Sequence, residues 1–231
     1  LLNMLKGWWG RREQAAPVQT AIQRWAEGRA MAFRDWEPAA CEAEGLWGSV
    51  PARARLGRSP WPYMPGQVLQ LEAVLGRPAA GAAPDDGVVL ISRTLKPALE
   101  REAEAAFAQF TDGLRTSETL LSDEVRWLTG FRDTGWSGPA DAFWRRYAVL
   151  TSLPKVAPAW LDDRAQAALM NWPGGAQTNP PPVMLAWTQG RLLARLALPE
   201  RESDAIALHG LALLDHLLQR ASELTEAPAQ P

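Results

Sequence analysis

Four consecutive apolar residues, Val88-Val89-Leu90-Ile91, follow a turn signal at Pro84-Asp85-Asp86-Gly87. A strand that is apolar at every position has no wet side, so other elements must cover both of its faces. The fold therefore needs a sheet with this strand in its interior. After the polar break Ser92-Arg93-Thr94, the residues Leu95, Leu99, Ala103, Ala106, Phe107 and Phe110 recur at helical spacing. Glu100, Arg101, Glu102 and Glu104 form the opposite side, and Pro97 suits a first helical turn. This helix is expected to cover the sheet, each large buried side chain contributing about 1.5–3 kcal/mol.

Upstream, Val18, Ile22 and Trp25 share one helical face between Pro17 and Gly28. From Met31 the period falls to two. Gly48-Ser49, between the runs Cys41–Trp47 and Val50–Leu56, reads as a two-residue hairpin turn. Pro51 marks a strand start or a sheet edge, and Arg53, Arg55 and Arg58 line the polar side. Gln67 to Leu75 alternates apolar and polar residues as a half-buried strand does. Between these strands, Pro60, Pro62 and Pro65 stiffen a loop that must either pack or display Trp61, Tyr63 and Met64.

Downstream of Gly113 the pattern is mostly helical. One segment follows Ser122 as N-cap. Another opens at Pro139 with Ala140, Phe143, Trp144 and Tyr147 inward, and a third opens at Pro158 and carries Leu161, Ala165, Ala168, Leu169 and Trp172. A hairpin turning at Gln189-Gly190 then precedes a last helix opened by Pro199. The stretch Leu46 to Leu56 matches Ala186 to Leu196 in pattern, each with a tryptophan, a glycine turn and an outgoing Ala-Arg strand. The expected class is α+β: an antiparallel meandering sheet built largely from residues 31–91 and covered by helices, with a C-terminal β-hairpin followed by a long helix. That hairpin either joins the sheet or makes a smaller one. Residues 1–16 read as an amphipathic N-terminal segment, 17–225 as a single α+β domain and 226–231 as a flexible tail.

The chemistry is bounded mainly by what the sequence lacks. Twenty-four basic and 26 acidic residues are interspersed to a net charge of −2, which is not the footprint of a nucleic-acid binder. One cysteine, Cys41, allows neither an intrachain disulfide nor a multi-cysteine metal site and fits a reducing, cytoplasmic setting. His209 and His216, seven apart, would stand roughly 10 Å apart along a helix, too far to share an ion unaided. A phosphate-binding loop, a dinucleotide-binding glycine motif and a serine-nucleophile elbow are all missing. No cofactor and no metal are therefore expected. The Ala, Arg, Gly and Pro bias is of the kind GC-rich bacterial coding produces.

Two candidate contact regions remain, together with one anion-binding candidate. Leu1, Leu2, Leu5, Trp8 and Trp9 lie beside Lys6, Arg11 and Arg12, the composition of a segment that rests on an anionic membrane surface or packs on a protein partner. Trp61 and Tyr63 in the proline loop suit partner contact. Ser92, Arg93, Thr94 and Lys96 bring hydroxyls, cations and free N–H groups to a helix start, where an anion can bind. The expected function is that of a non-catalytic interaction or scaffold protein, a subunit of a larger complex or one held at the inner face of a membrane through its N-terminal segment. The alternative is an enzyme or small-ligand-binding protein for an anionic substrate, using arginines such as Arg53, Arg55 and Arg93.

Overall fold

The computed structural model describes residues 17–37, 40–79, 81–83, 85–112, 122–200 and 203–226. Helix α1 (Pro17–Glu27) leads into strands β1 (Ala32–Glu37), β2 (Ala40–Trp47), β3 (Val50–Arg58), β4 (Gln67–Val74) and β5 (Gly87–Ser92). Helices α2 (Lys96–Asp112) and α3 (Asp123–Gly130) follow, then β6 (Arg132–Asp133), α4 (Asp141–Arg146) and β7 (Tyr147–Thr151). Two helices, α5 (Ala157–Trp160) and α6 (Asp163–Met170), precede the hairpin β8 (Val183–Thr188) and β9 (Arg191–Leu198), and α7 (Ser203–Glu226) closes the described chain. The strands form one sheet of nine, ordered β1-β2-β3-β4-β9-β8-β5-β7-β6, with every neighbouring pair antiparallel.

The class is α+β, as the sequence pattern implies, and β1 to β4 form the expected meander. The surprise is the place of the C-terminal hairpin. It joins the same sheet at its centre, wedged between β4 and β5, instead of extending an edge. The all-apolar strand β5 consequently lies between β8 and β7, with all six of its residues buried. Its alternate side chains serve two cores. Val88 and Leu90 face the layer of α1, α5, α6 and α7, while Val89 and Ile91 face Leu95 and Leu99 at the start of α2 and Trp127 of α3.

Three local expectations need correction. Tyr147 does not end a helix; α4 stops at Arg146 and Tyr147 begins β7, whose five residues are all buried. Tyr-Ala-Val-Leu-Thr carries aromatic and β-branched residues that suit a pleated surface, and the open edge of β5 supplies the partner ladder that decides the matter. The helix expected from Pro158 is broken in two, because the Asp162 carboxylate accepts from the Ala165 N–H at 3.0 Å and caps a new helix there. The last helix begins at Ser203 rather than at Pro199, and Ile206, Leu213, Leu214, Leu217 and Leu218 lie on its buried face.

The tryptophan excess is largely a core property. Trp25, Trp47, Trp127, Trp160, Trp172 and Trp187 are buried, and Trp61, Trp136 and Trp144 are half-buried. Trp25 meets Trp47 edge-on at 4.8 Å, tying α1 to the end of β2. Arg29 lies over both rings and pairs with Asp215 of α7, which also accepts from the Trp47 indole N–H. One residue type thus locks the helical layer onto the sheet.

The two hairpin turns differ in how tightly they are held. Gly48 has φ +63° and an added Cβ would meet nothing within 4 Å. Gly190 has φ +68°, but a Cβ there would stand 2.8 Å from backbone atoms of Arg77, and its carbonyl accepts from the N–H groups of Leu75 and Gly76. Gly48→Ala is expected to lose only the left-handed conformational preference, about 1–2 kcal/mol. Gly190→Ala should lose clearly more, since backbone must move. Urea denaturation of the two variants tests this, and equal midpoints would contradict it.

Candidate protein interface

The sheet has one uniformly covered face and one divided face. On the divided face, β5, β7, β8 and β9 are capped by the beginning of α2, by α3 and by the loop at 59–66. Across β1 to β4 the same face carries Glu42, Glu44, Leu46, Arg53, Arg55, Gln70, Glu72 and Val74, alternating with core residues such as Cys41, Ala43, Ala54 and Leu71. Register places opposite charges directly across from one another: Glu42 faces Arg55, Glu44 faces Arg53, and Arg53 in turn faces Glu72. Arg55 contacts the shielded Glu42 carboxylate at 2.8 Å, and Arg53 contacts Glu44 at 2.8 Å. Cross-strand pairs of this kind support a sheet by a few tenths of a kcal/mol each and fix its register.

Leu46 and Val74 interrupt this polar pattern. They are 57% and 48% exposed and lie towards the hairpin-turn end of the open face. At the opposite end, where β3 leaves the sheet and β4 enters it, a cleft of about 340 Å³ separates the sheet from the proline loop. Arg55, Arg58, Trp61 and Gln70 line it.

The boundary between the wet and dry halves is a buried ion pair. Arg195 of β9 stands opposite Gln70 of β4, on the row that continues to Arg55. Its guanidinium meets the Glu124 carboxylate of α3 and the Tyr63 hydroxyl, and its carbon lies 3.9 Å from the centre of the Trp61 ring. Tyr63 donates to Glu124 at 3.0 Å. The side chains of Arg195 and Glu124 are only 9% and 10% exposed. Burial pushes the Glu124 carboxyl up, but the Arg195 charge and hydrogen bond outweigh it and hold the pKa below the ordinary 4.5. For Tyr63, burial dominates and raises the phenol pKa well above its usual value. Arg195 and Glu124 are thus a charged pair and Tyr63 a neutral donor at neutral pH.

The sequence candidates are distributed unequally around this geometry. Leu1, Leu2, Leu5, Trp8, Trp9, Arg11 and Arg12 lie outside the described residues. Trp61 is half-buried and lines the cleft, whereas Tyr63 is turned inward to Arg195 and Glu124. Ser92 is buried and its hydroxyl accepts from the Val183 N–H at 2.9 Å. Lys96 donates to the Asp133 carboxylate at 2.9 Å, and Arg93 lies 3.9 Å from the same carboxylate. Thr94 is exposed at the rim of a different cleft, beside Met64 and Pro182. The four residues expected to gather around an anion therefore point to three destinations, and Asp133 takes up both cations.

Elsewhere the titratable groups serve the architecture. Burial, with help from Asp35, pushes the Cys41 thiol up to about 12, so it remains protonated. His209 donates to the Ala168 carbonyl at 2.8 Å and His216 donates to Asp162 at 2.7 Å, each fastening α7 to the helices beneath it. Among the described residues there is no cluster of three or more His, Cys, Asp or Glu able to hold a metal ion. Among the same residues, no helix is long and apolar enough to cross a membrane. Comparisons with protein-family models, with curated proteins and with solved structures found no match.

The Arg195 centre was missed by sequence reasoning because its members come from residues 61–63, 124 and 195 and share no spacing. Removing Glu124 alone would leave a buried unpaired cation, so Glu124→Ala should cost about 3–5 kcal/mol. Arg195→Met combined with Glu124→Leu should cost distinctly less, as measured by chemical denaturation. The depressed Glu124 pKa contributes stability that is full above 4.5 and is lost as pH falls through the folded value. The stability gap between the wild type and Glu124→Gln should therefore narrow below pH 4.5, and a constant gap would contradict the assignment.

Proposed function

We propose that this chain is a non-catalytic interaction or scaffold protein that docks a partner protein on the open face of β1 to β4. The observation that supports the reading is the division of one sheet face. It is dry and capped over β5, β7 and β8, yet left open by the described residues across β2, β3 and the part of β4 beyond Val68, where Leu46 and Val74 are exposed amid charged residues. Apolar contacts rimmed by polar groups are the usual anatomy of a protein interface. The surrounding ion pairs hold the face in one arrangement, which limits the side-chain ordering that binding must offset. The competing reading, action on an anionic substrate, needs cations free to meet it. Arg53, Arg55 and Arg93 each lie against a carboxylate of this chain.

In this proposal the segment Leu1–Arg12 supplies a second contact, either with another subunit of the complex or with an anionic membrane surface at its inner face. Its leucines and tryptophans would enter the interface while Lys6, Arg11 and Arg12 meet the negative surface. The two contacts are separable. The chain tagged at its C-terminus is used to capture and identify a partner, and the purified pair is then measured directly. Leu46→Arg with Val74→Arg is expected to weaken that affinity at least tenfold with an unchanged melting temperature. Deleting residues 1–16 is expected to abolish sedimentation with phosphatidylserine-containing vesicles, or to remove a subunit from the complex. Undiminished affinity of the double variant for the partner would overturn the open face as the docking surface.

A further inference from the structure

A further cleft, of about 640 Å³, opens beside the helical layer at the hairpin-turn end of the sheet. Its walls come from four places: Gly28 and Arg29 after α1, the β2–β3 turn at Trp47 to Val50, Arg164 of α6, and α7. On α7, Asp215, Gln219 and Ser222 follow at intervals of four and three residues and share a face, with His216 beside them. The charges in the cleft are not equally available. Asp215 is occupied, one oxygen accepting from Arg29 and the other from the Trp47 indole N–H. Arg164 is exposed and has no hydrogen-bond or ion-pair partner among the described residues. His216 donates from Nε2 to Asp162, two residues before Arg164, at 2.7 Å. In the neutral ring its Nδ1 is therefore an acceptor, and it too has no partner among the described residues. Gln219 spends its Nε2 on Glu223 at 3.0 Å and keeps its carbonyl oxygen. The Ser222 hydroxyl donates to the Leu218 carbonyl at 3.0 Å and keeps its lone pairs. The free valences are thus one cation and three acceptors.

We propose that this cleft binds a small polyhydroxylated anion, a sugar acid or a sugar phosphate, with its anionic group on Arg164 and its hydroxyls donating to His216, Gln219 and Ser222. The assignment goes beyond the docking reading and stands without it. A guanidinium meets a carboxylate or phosphate in a planar fork, and charge strengthens each hydrogen bond so made. Hydroxyl groups supply the donors that the three acceptors lack. A neutral sugar would leave Arg164 unused, and an anion without hydroxyls would leave the acceptors to water. A cation meets Arg164 with no free carboxylate to offset it, because Arg29 already holds Asp215. The volume of about 640 Å³ falls within the range of small-ligand sites. The wall that reads the hydroxyls is also fixed in place: Asp162, which holds the His216 ring, caps α6 through the Ala165 N–H and lies 3.5 Å from Arg220.

Isothermal titration calorimetry on the full chain tests the proposal with gluconate and glucose 6-phosphate. At least one should bind, and the tighter of the two identifies the anionic group as carboxylate or phosphate. Sorbitol keeps the hydroxyls without the charge, and acetate and inorganic phosphate keep the charge without the polyol. All three should bind at least tenfold more weakly. Arg164→Gln should weaken the tighter ligand at least tenfold, whereas Arg101→Gln, the same change on the exposed side of α2, should alter it less than twofold. Arg164 has no ion pair to lose among the described residues, so its variant should keep the wild-type melting temperature. Ser49→Trp, which places an indole in the cleft from an exposed turn, should abolish binding at an unchanged melting temperature. Binding of neither anion, equal affinity for sorbitol, or undiminished affinity in Arg164→Gln or Ser49→Trp would each overturn the assignment. Equal affinity for acetate or inorganic phosphate would overturn it as well, by making the site one for any small anion.

Discussion

The backbone ladder between β4 and β9 is the join on which the architecture depends. Eight residue pairs, from Gln67 with Leu198 to Val74 with Arg191, connect the N-terminal meander to strands contributed more than a hundred residues later. Without β9 in that position, β4 would end the meander with an open row of N–H and C=O groups, and β5 would lose β8 on its other side. Nine strands instead share one continuous set of ladders, three of which, β4 with β9, β5 with β8 and β5 with β7, join strands that are not consecutive in the chain. Such closure is entropically demanding, because a long intervening chain must be ordered before the pairing is complete. The turn at Gly190 reinforces it by accepting two N–H groups from the residues that follow β4.

The same row of the sheet explains where its exposed half stops. Reading across at one register, Arg34, Glu42, Arg55 and Gln70 lead to Arg195 and then to Met184, Ile91 and Ala148. Arg34 and Arg55 can occupy the first part because water reaches them, and the shielded Glu42 because Arg55 lies 2.8 Å from its carboxylate. Arg195 is the last charge in the row, and it is tolerated under cover because Glu124, Tyr63 and Trp61 come to meet it from α3 and the proline loop. Beyond it the row is apolar and lies beneath the second helical layer. A single buried pair therefore fixes the loop, the helix and the edge of the open platform together.

Arg55 and Arg195 also give physical content to the likeness between the two hairpin sequences. Both arginines project from outgoing hairpin strands on the same sheet face and the same register row, separated by Gln70. Their surroundings make them different residues. Arg55 stays half-exposed beside Glu42 at the cleft, whereas Arg195 is enclosed and locked to Glu124. Similar local sequence produced similar local geometry, and the covering layer assigned each side chain its role.

By itself the sequence determined the elements that local chemistry controls. The apolar run of β5, the alternation in β3 and β4, the two glycine turns and the helical stripes of α1, α2 and α7 all follow from periodicity and turn preference, which act over a few residues. It also marked the proline loop, beside the N-terminal segment, as a candidate contact region by excluding regular structure there. Tertiary structure alone decided that the last hairpin enters the middle of the sheet, that Tyr147–Thr151 is a strand, and that Tyr63 faces inward while Trp61 lines a cleft. The balance of charge was decided there too: Arg93 and Lys96 converge on Asp133, while Arg58 is left without an ion pair among the described residues. These outcomes depend on which distant segments meet, and the burial and Coulomb energies that select those meetings leave no fixed spacing along the chain.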